Sequence, residues 1–178
     1  YSSYSFIPEL KKIFKSNLVV VSPDKGGVLK ASFYADLLDA DGLAIVFKER
    51  DVMKRNKSNA LDMIGDIMGK DVLIVDDMID TGGTICAAAD LIKKRGAKSI
   101  SAAAAHGLFS GPAPERIKNS PLNKIFITDT IPIRKEMIGN PKLKIISIAK
   151  LFSEAINCIY NGDSISTKLI PKTHQERI

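Results

Sequence analysis

The stretch "DVLIVDDMIDTGGTICAAADLIKKRG", residues 71–96, decides how the chain is read. Its opening DVLIV is a run of β-formers without polar alternation, the pattern of a strand covered on both faces. Three carboxylates follow, Asp76, Asp77 and Asp80, and then Thr81-Gly82-Gly83-Thr84. Beyond the glycines, Ile85, Ala88, Ala89 and Ile92 fall on one helical face, and Lys93, Lys94 and Arg95 close the last turn before Gly96. Terminal cations and a following glycine are the expected helix stop. Glycines ahead of a helix suit an anion, because backbone N–H groups can approach it closely and the helix N-terminus is partly positive. Ionised carboxylates only accept hydrogen bonds, so Asp76 and Asp80 suit hydroxyl donors. A ligand carrying both a phosphate and vicinal hydroxyls meets both demands, and a sugar phosphate has that form. Asp77 is left open between ligand contact and structural acceptor.

The same alternation runs through the chain. "NLVVV" (17–21), "GLAIVF" (42–47), "KIFIT" (124–128) and "LKIISI" (143–148) read as further strands. "SISAAAA" (99–105) is assigned to a strand by its place in the alternation, although alanine favours helix. Val28, Ala31, Ala35 and Leu38 mark a helix, another is expected from Lys150 to Tyr160, and "FIPELKKIF" suits a short helix with Pro8 in its first turn. Strand-helix-strand repetition implies an α/β fold with a mainly parallel sheet flanked by helices. Residues 17–166 are read as one domain, 1–16 as a helix or linker leading into it, and 167–178 as a tail.

In such sheets ligands bind beyond the carboxyl ends of the strands, so the residues after each strand carry the functional reading. After the first strand comes "SPDKGGV" (22–28). Gly26 and Gly27 suit an anion, whereas Asp24 would repel a phosphate unless a metal ion lay between them, which points to Mg²⁺-bound polyphosphate. The plainer reading, that Asp24 caps a tight turn, stands equally. After the second strand, "KERDVMKRNKSNALDMIG" (48–65) is long and basic. Lys48 and Arg50 alternate at strand spacing and can grip one phosphate from the same side. Lys54, Arg55 and Lys57 are read as a solvated face. His106 follows the next strand and, as a lone histidine, is read as structural. The glycine turn is neither a Walker A loop nor a dinucleotide fingerprint, since it lacks Gly-Lys-Ser/Thr and G-x-G-x-x-G.

Bulk properties bound the alternatives. The chain has 178 residues, is 45% hydrophobic and 26% charged, and carries a net charge of +6. That balance fits a phosphate-rich ligand and a merely lysine-rich surface equally. With 6% aromatic residues, no Trp and no basic-aromatic interleaving, nucleic acid is disfavoured. Cys86 and Cys158 lie far apart within helical patterns, which disfavours a disulfide framework and fits a reducing, cytoplasmic setting. No apolar run approaches the roughly 20 residues of a membrane helix. The chain begins at Tyr1 without a signal-peptide pattern, so an upstream segment is expected to have been removed or left out.

"VDDMIDTGGT" (75–84) resembles the ribose-phosphate signature shared by type I phosphoribosyltransferases and ribose-phosphate pyrophosphokinases. "VVVSPDKGG" (19–27), "FKER" (47–50) and "HGLFSGPAPERI" (106–117) resemble the pyrophosphokinases, in matching order from about residue 18 to 163. The resemblance implies transfer of the diphosphoryl group of ATP to the C1 hydroxyl of ribose 5-phosphate, giving phosphoribosyl pyrophosphate and AMP. By similarity Asp80, Thr81, Gly82, Gly83 and Thr84 hold the 5-phosphate, and Asp76 and Asp80 face the ribose. Asp24, Lys25, Gly26 and Gly27 form the pyrophosphate loop, with Asp24 linked to Mg²⁺. Lys48 and Arg50 are the catalytic cations, and Arg50 also binds the sugar phosphate. Lys25 stands where the family usually has an uncharged residue, and the basic loop after Arg50 is longer than in familiar members.

Family members also carry a related N-terminal domain, which supplies a metal-binding histidine and most adenine contacts. Nothing here matches it, so residues 1–178 are read as the second half of such an enzyme, inactive or nearly so alone. The family assembles as symmetric homo-oligomers, and "SGPAPERI" with "LFSEAINCIYNGDSIS" (151–166) is assigned to those contacts. Two other readings remain: a phosphoribosyltransferase acting on a nucleobase, and a non-catalytic regulatory subunit. The first leaves Lys48 and Arg50 beside "SPDKGG" unexplained, and the second sits poorly with intact loops.

Overall fold

The expected strands all join one sheet. The structure, a computed structural model, describes residues 2–48 and 61–169. The elements run α1 (Ser3–Ile13), β1 (Leu18–Ser22), α2 (Val28–Leu37), β2 (Gly42–Lys48), β3 (Leu61–Ile64), β4 (Asp71–Ile79), α3 (Gly83–Lys94), β5 (Ser99–Gly107) and α4 (Ala113–Asn119). They continue with β6 (Lys124–Thr128), a 3₁₀ turn (Lys135–Met137), β7 (Leu143–Ile146), α5 (Ala149–Asn161) and α6 (Ile165–Leu169). Strand order is β3-β2-β1-β4-β5-β6-β7. Every pairing is parallel except β2 with β3, which is antiparallel.

Apolar runs without alternation are buried on both sides because helices cover both faces. All five residues of β1 are buried. Val19 and Val21 pack with Val72, Ile74 and the α3 residues Ile85, Ala88 and Ile92 on one face. Leu18 and Val20 pack with Leu73, Val75, the α1 residues Phe6 and Leu10, and the α2 residues Ala31 and Tyr34 on the other. Burying each such large aliphatic or aromatic side chain contributes about 1.5–3 kcal/mol. The opening helix, expected as a linker, thus places Phe6 and Leu10 at 0% exposure in the core.

Three details depart from the sequence reading. The stretch 48–65, read as one long loop, contains β3, an edge strand of four residues, too short to show an alternation. The strand expected over 71–75 runs on to Ile79, because Asp76 to Ile79 pair along β5 from Ala104 to Gly107. Asp76 and Asp77 therefore lie within the strand rather than after it. The helix expected from Phe6 begins at Ser3, so Pro8 sits in its interior and not in its first turn. The "SGPAPERI" segment forms α4 and the turn before it, which pack against the loop after β4.

Candidate functional site: the switch-point crevice

β1 has β2 on one side and β4 on the other, so the chain reverses its direction of sheet growth there. At such a switch point the loops leaving the two central strands diverge and open a crevice at their carboxyl ends. The turn 22–27 after β1 and the turn 80–83 after β4 lie at that place.

Strand alternation separates the two adjacent aspartates. Leu73 and Val75 face the α1/α2 side, and Asp77 continues that side, where it pairs with Lys30 of α2. Ile74 faces the α3 side, and Asp76 continues it into a cavity of about 230 Å³ lined by Asp76, Asp80, Thr81, Gly82, Gly83 and Thr84 with Met78, Ile79 and Ile85. Partial burial pushes the Asp76 carboxyl above the ordinary aspartate range, and Asp24 and Asp77 add to the shift. The Asp77 amide, which donates to Asp76 Oδ1 at 2.7 Å, and Lys30 oppose it.

Gly82 ends the turn in the left-handed conformation, with φ +73°, and is the N-cap of α3. A side chain there would be strained, which is why a glycine fits. No side chain caps α3, so its first-turn N–H groups remain available to a ligand beside the cavity.

The other turn looks different. Asp24 Oδ1 accepts from the Gly26 and Gly27 amides at 2.8 and 3.0 Å, and Ser22 Oγ donates to the Asp24 carbonyl at 2.6 Å. The amides expected to face an anion are engaged by Asp24, as in the plainer reading of that turn. Lys25 Nζ lies 5.6 Å from the centroid of the Phe47 ring, a cation–π distance, rather than over a phosphate position. His106 Nδ1 is 2.8 Å from Thr130 Oγ1, and that hydroxyl donates to the Ala105 carbonyl at 3.2 Å, a structural network. Lys48 is the last residue of β2, opposite Leu61, while Arg50, Lys54, Arg55 and Lys57 lie outside the described residues.

Among the described residues no group of three or more His, Cys, Asp or Glu side chains could by itself hold a metal ion. The donor set still suits Mg²⁺, which commonly takes one or two carboxylates and completes its shell with water and substrate phosphates. Asp24 is such a carboxylate. Two residues that sequence reasoning did not single out hold residues next to the site. Lys30 holds Asp77, and Arg116 Nη1 donates to the Thr81 carbonyl at 3.0 Å. Neither carried a sequence signal, since only folding brings α2 and α4 to these turns.

The family model for the phosphoribosyl synthetase-associated domain matches residues 51–169. The chain belongs to that family. Within the phosphoribosyl synthetase-associated family, it is 44% identical over 167 residues to the ribose-phosphate pyrophosphokinase of Helicobacter hepaticus, covering 94% of this chain and 52% of that protein. It is 48% identical over 150 residues to the Vibrio parahaemolyticus enzyme of the same name, covering 84% and 47%. The crystal structure of phosphoribosylpyrophosphate synthetase from Mycobacterium smegmatis superposes with a TM-score of 0.80 at 33% identity, over 90% of this chain and 51% of that one. The chain therefore spans about half the length of the curated relatives it matches. The adenine phosphoribosyltransferase of Giardia lamblia shares the fold at a TM-score of 0.53 and 18% identity. The α/β architecture is thus that of the type I phosphoribosyltransferases, as the sequence predicted.

Proposed function

We propose that the protein is a ribose-phosphate diphosphokinase of nucleotide biosynthesis, in which this chain forms the ribose 5-phosphate site and part of the ATP site. The observation that carries this is the cavity after β4, where Asp76 and Asp80 meet the uncapped Thr81–Thr84 turn. In this reading Asp80 to Thr84 bind the 5-phosphate through backbone amides and hydroxyls, and Asp76 and Asp80 accept from the ribose hydroxyls. The C1 hydroxyl oxygen attacks the β-phosphorus of ATP. The new C1–O–Pβ linkage forms as the bond from the bridging oxygen to Pβ breaks, AMP leaves and the hydroxyl proton is released.

Asp24 would hold Mg²⁺, which would supply charge neutralisation for the diphosphate. Lys48 and Arg50 supply cations to the transferring group, and Lys25 stays on Phe47. The enzyme works in the cytoplasm as a homo-oligomer, and neither nucleic acid nor membrane is a partner. Both cysteines are buried and free, and no helix among the described residues is long and apolar enough to cross a membrane.

The test is AMP release from ATP and ribose 5-phosphate by the full-length protein with Mg²⁺. Turnover that depends on both substrates is expected. No turnover with these loops intact overturns the proposal, and pyrophosphate release that requires a nucleobase would replace it with a phosphoribosyltransferase.

A further inference from the structure

The turn that faces the cavity is held from behind by a distant segment. Ile79 O accepts from the amides of Leu108 and Phe109 at 2.9 and 3.1 Å, and Asp80 O accepts from Ser110 N at 3.0 Å. Thr81 O accepts from Arg116 Nη1 at 3.0 Å. The first three bonds are backbone to backbone and form whatever side chains are present. The fourth depends on one side chain, 35 residues away in sequence. Arg116 also lies against Gly83, since its Nη1 is 3.5 Å from where a Cβ there would sit. Ala113, one turn earlier on α4, backs Gly82 at 3.6 Å in the same sense. None of residues 108–116 lines the cavity, whereas Asp80 to Thr84 do, so the turn's carbonyls are held by groups outside it.

A trans peptide is planar, with its C=O and N–H pointing to opposite sides. Holding the carbonyls of Ile79, Asp80 and Thr81 from behind therefore aims the amides of Asp80, Thr81 and Gly82 forward, toward the cavity. Converging successive N–H groups that end in a left-handed residue form an anion-binding nest. The last of these peptides is the one Arg116 holds, and a charged donor on its carbonyl also polarises the Gly82 N–H.

We infer that Arg116 is a positioning residue for the phosphate of the bound sugar phosphate, acting through the Thr81–Gly82 peptide rather than by touching the ligand. This role rests on the function proposed above. It also assigns the "SGPAPERI" segment to the ribose-phosphate turn of its own chain.

The experiment measures ribose 5-phosphate binding by calorimetry and steady-state kinetics on the full-length protein and its Arg116→Met, Arg116→Gln and Arg116→Lys variants. Loss of one charge-assisted hydrogen bond should raise Kd and KM for ribose 5-phosphate about tenfold in Arg116→Met. KM should rise by more than kcat falls, and Arg116→Lys should recover part of the loss. A merely structural role predicts the reverse: a lower melting temperature and kcat, an unchanged KM in the folded fraction, and no advantage for lysine. That pattern overturns the inference, as does a Kd within about twofold of wild type in any folded methionine or glutamine variant. If the methionine variant fails to fold, the glutamine and lysine variants decide by the same criterion, and failure of all three assigns Arg116 to folding and overturns it. Wild-type protein that does not bind ribose 5-phosphate overturns the function and this role together, whereas a binding wild type with unaffected variants overturns the role alone.

Discussion

Asp76 and Asp77 are neighbours in sequence with opposite surroundings. Asp77 is exposed and ion-paired with Lys30, an arrangement that typically contributes about 0–1 kcal/mol. Asp76 is partly buried against the cavity, and burial raises its proton affinity. The folded state therefore binds this proton more tightly than the unfolded chain, so stability falls as pH rises from the ordinary aspartate range through the raised value. At neutral pH the ionised form is held at a cost, and Asp76→Asn is expected to raise the melting temperature while weakening ribose 5-phosphate binding about tenfold or more. Parallel thermal melts and calorimetry on the full-length protein check the two halves of that statement. An unchanged affinity would remove Asp76 from the sugar side of the site. Lys48 belongs to the same scale. Its place at the end of β2, next to the crevice, fits a cation used mainly in the transition state. Lys48→Ala should lower kcat by orders of magnitude with an unchanged fold, and near-full activity would free the residue from that role.

At the scale of elements, the turn between β1 and α2 is tightly constrained. A Cβ on Gly27 would lie 2.7 Å from Ser22 Oγ, and Ser22 is fully buried with its hydroxyl committed to the Asp24 carbonyl. Gly27→Ala should cost about 1–3 kcal/mol through this clash. The Ser22→Ala/Gly27→Ala pair should be less destabilised than the sum of the single changes, because the clashing atom is gone. Denaturant midpoints of the four proteins measure the coupling, and strict additivity would show that the turn relaxes elsewhere. The sequence showed this element plainly as strand, Asp, glycines and helix. It left open whether Asp24 serves the turn or a ligand, since both uses need the same residue at the same spacing. It also missed β3, whose four residues are defined by pairing with β2 rather than by a pattern of their own.

Across the whole molecule, one helix is short of partners among the described residues. In α5 only Cys158 is buried, while Phe152, Ile156, Ile159 and Tyr160 are 57%, 62%, 68% and 88% exposed. Their spacing places them along one side of the helix, as in a face that meets another surface. This supports the proposed homo-oligomer, with α5 among its contacts. Ile156→Asp in the full-length protein should lower the oligomeric mass seen by light scattering without loss of helix content, and an unchanged mass would place the contacts elsewhere. The 178-residue chain spans about half the length of its relatives. Assayed alone, it is expected to release no AMP.

The sequence by itself determined the sheet-and-helix alternation, both glycine turns and the identity of the acids beside them. Those features are local: strand burial, helix stops and turn chemistry are written in runs of five to ten residues, and the order of the runs names the family. Only the tertiary structure decided which way each acid faces and what stands behind each turn. Strand β4 continues past Val75 because β5 pairs with it, and that continuation sends Asp76 into the cavity and Asp77 to Lys30. Arg116 reaches Thr81 because parallel β4 and β5 place their following loops side by side. Contacts between residues 35 or more positions apart arise from sheet order and register, and no short stretch of sequence contains either.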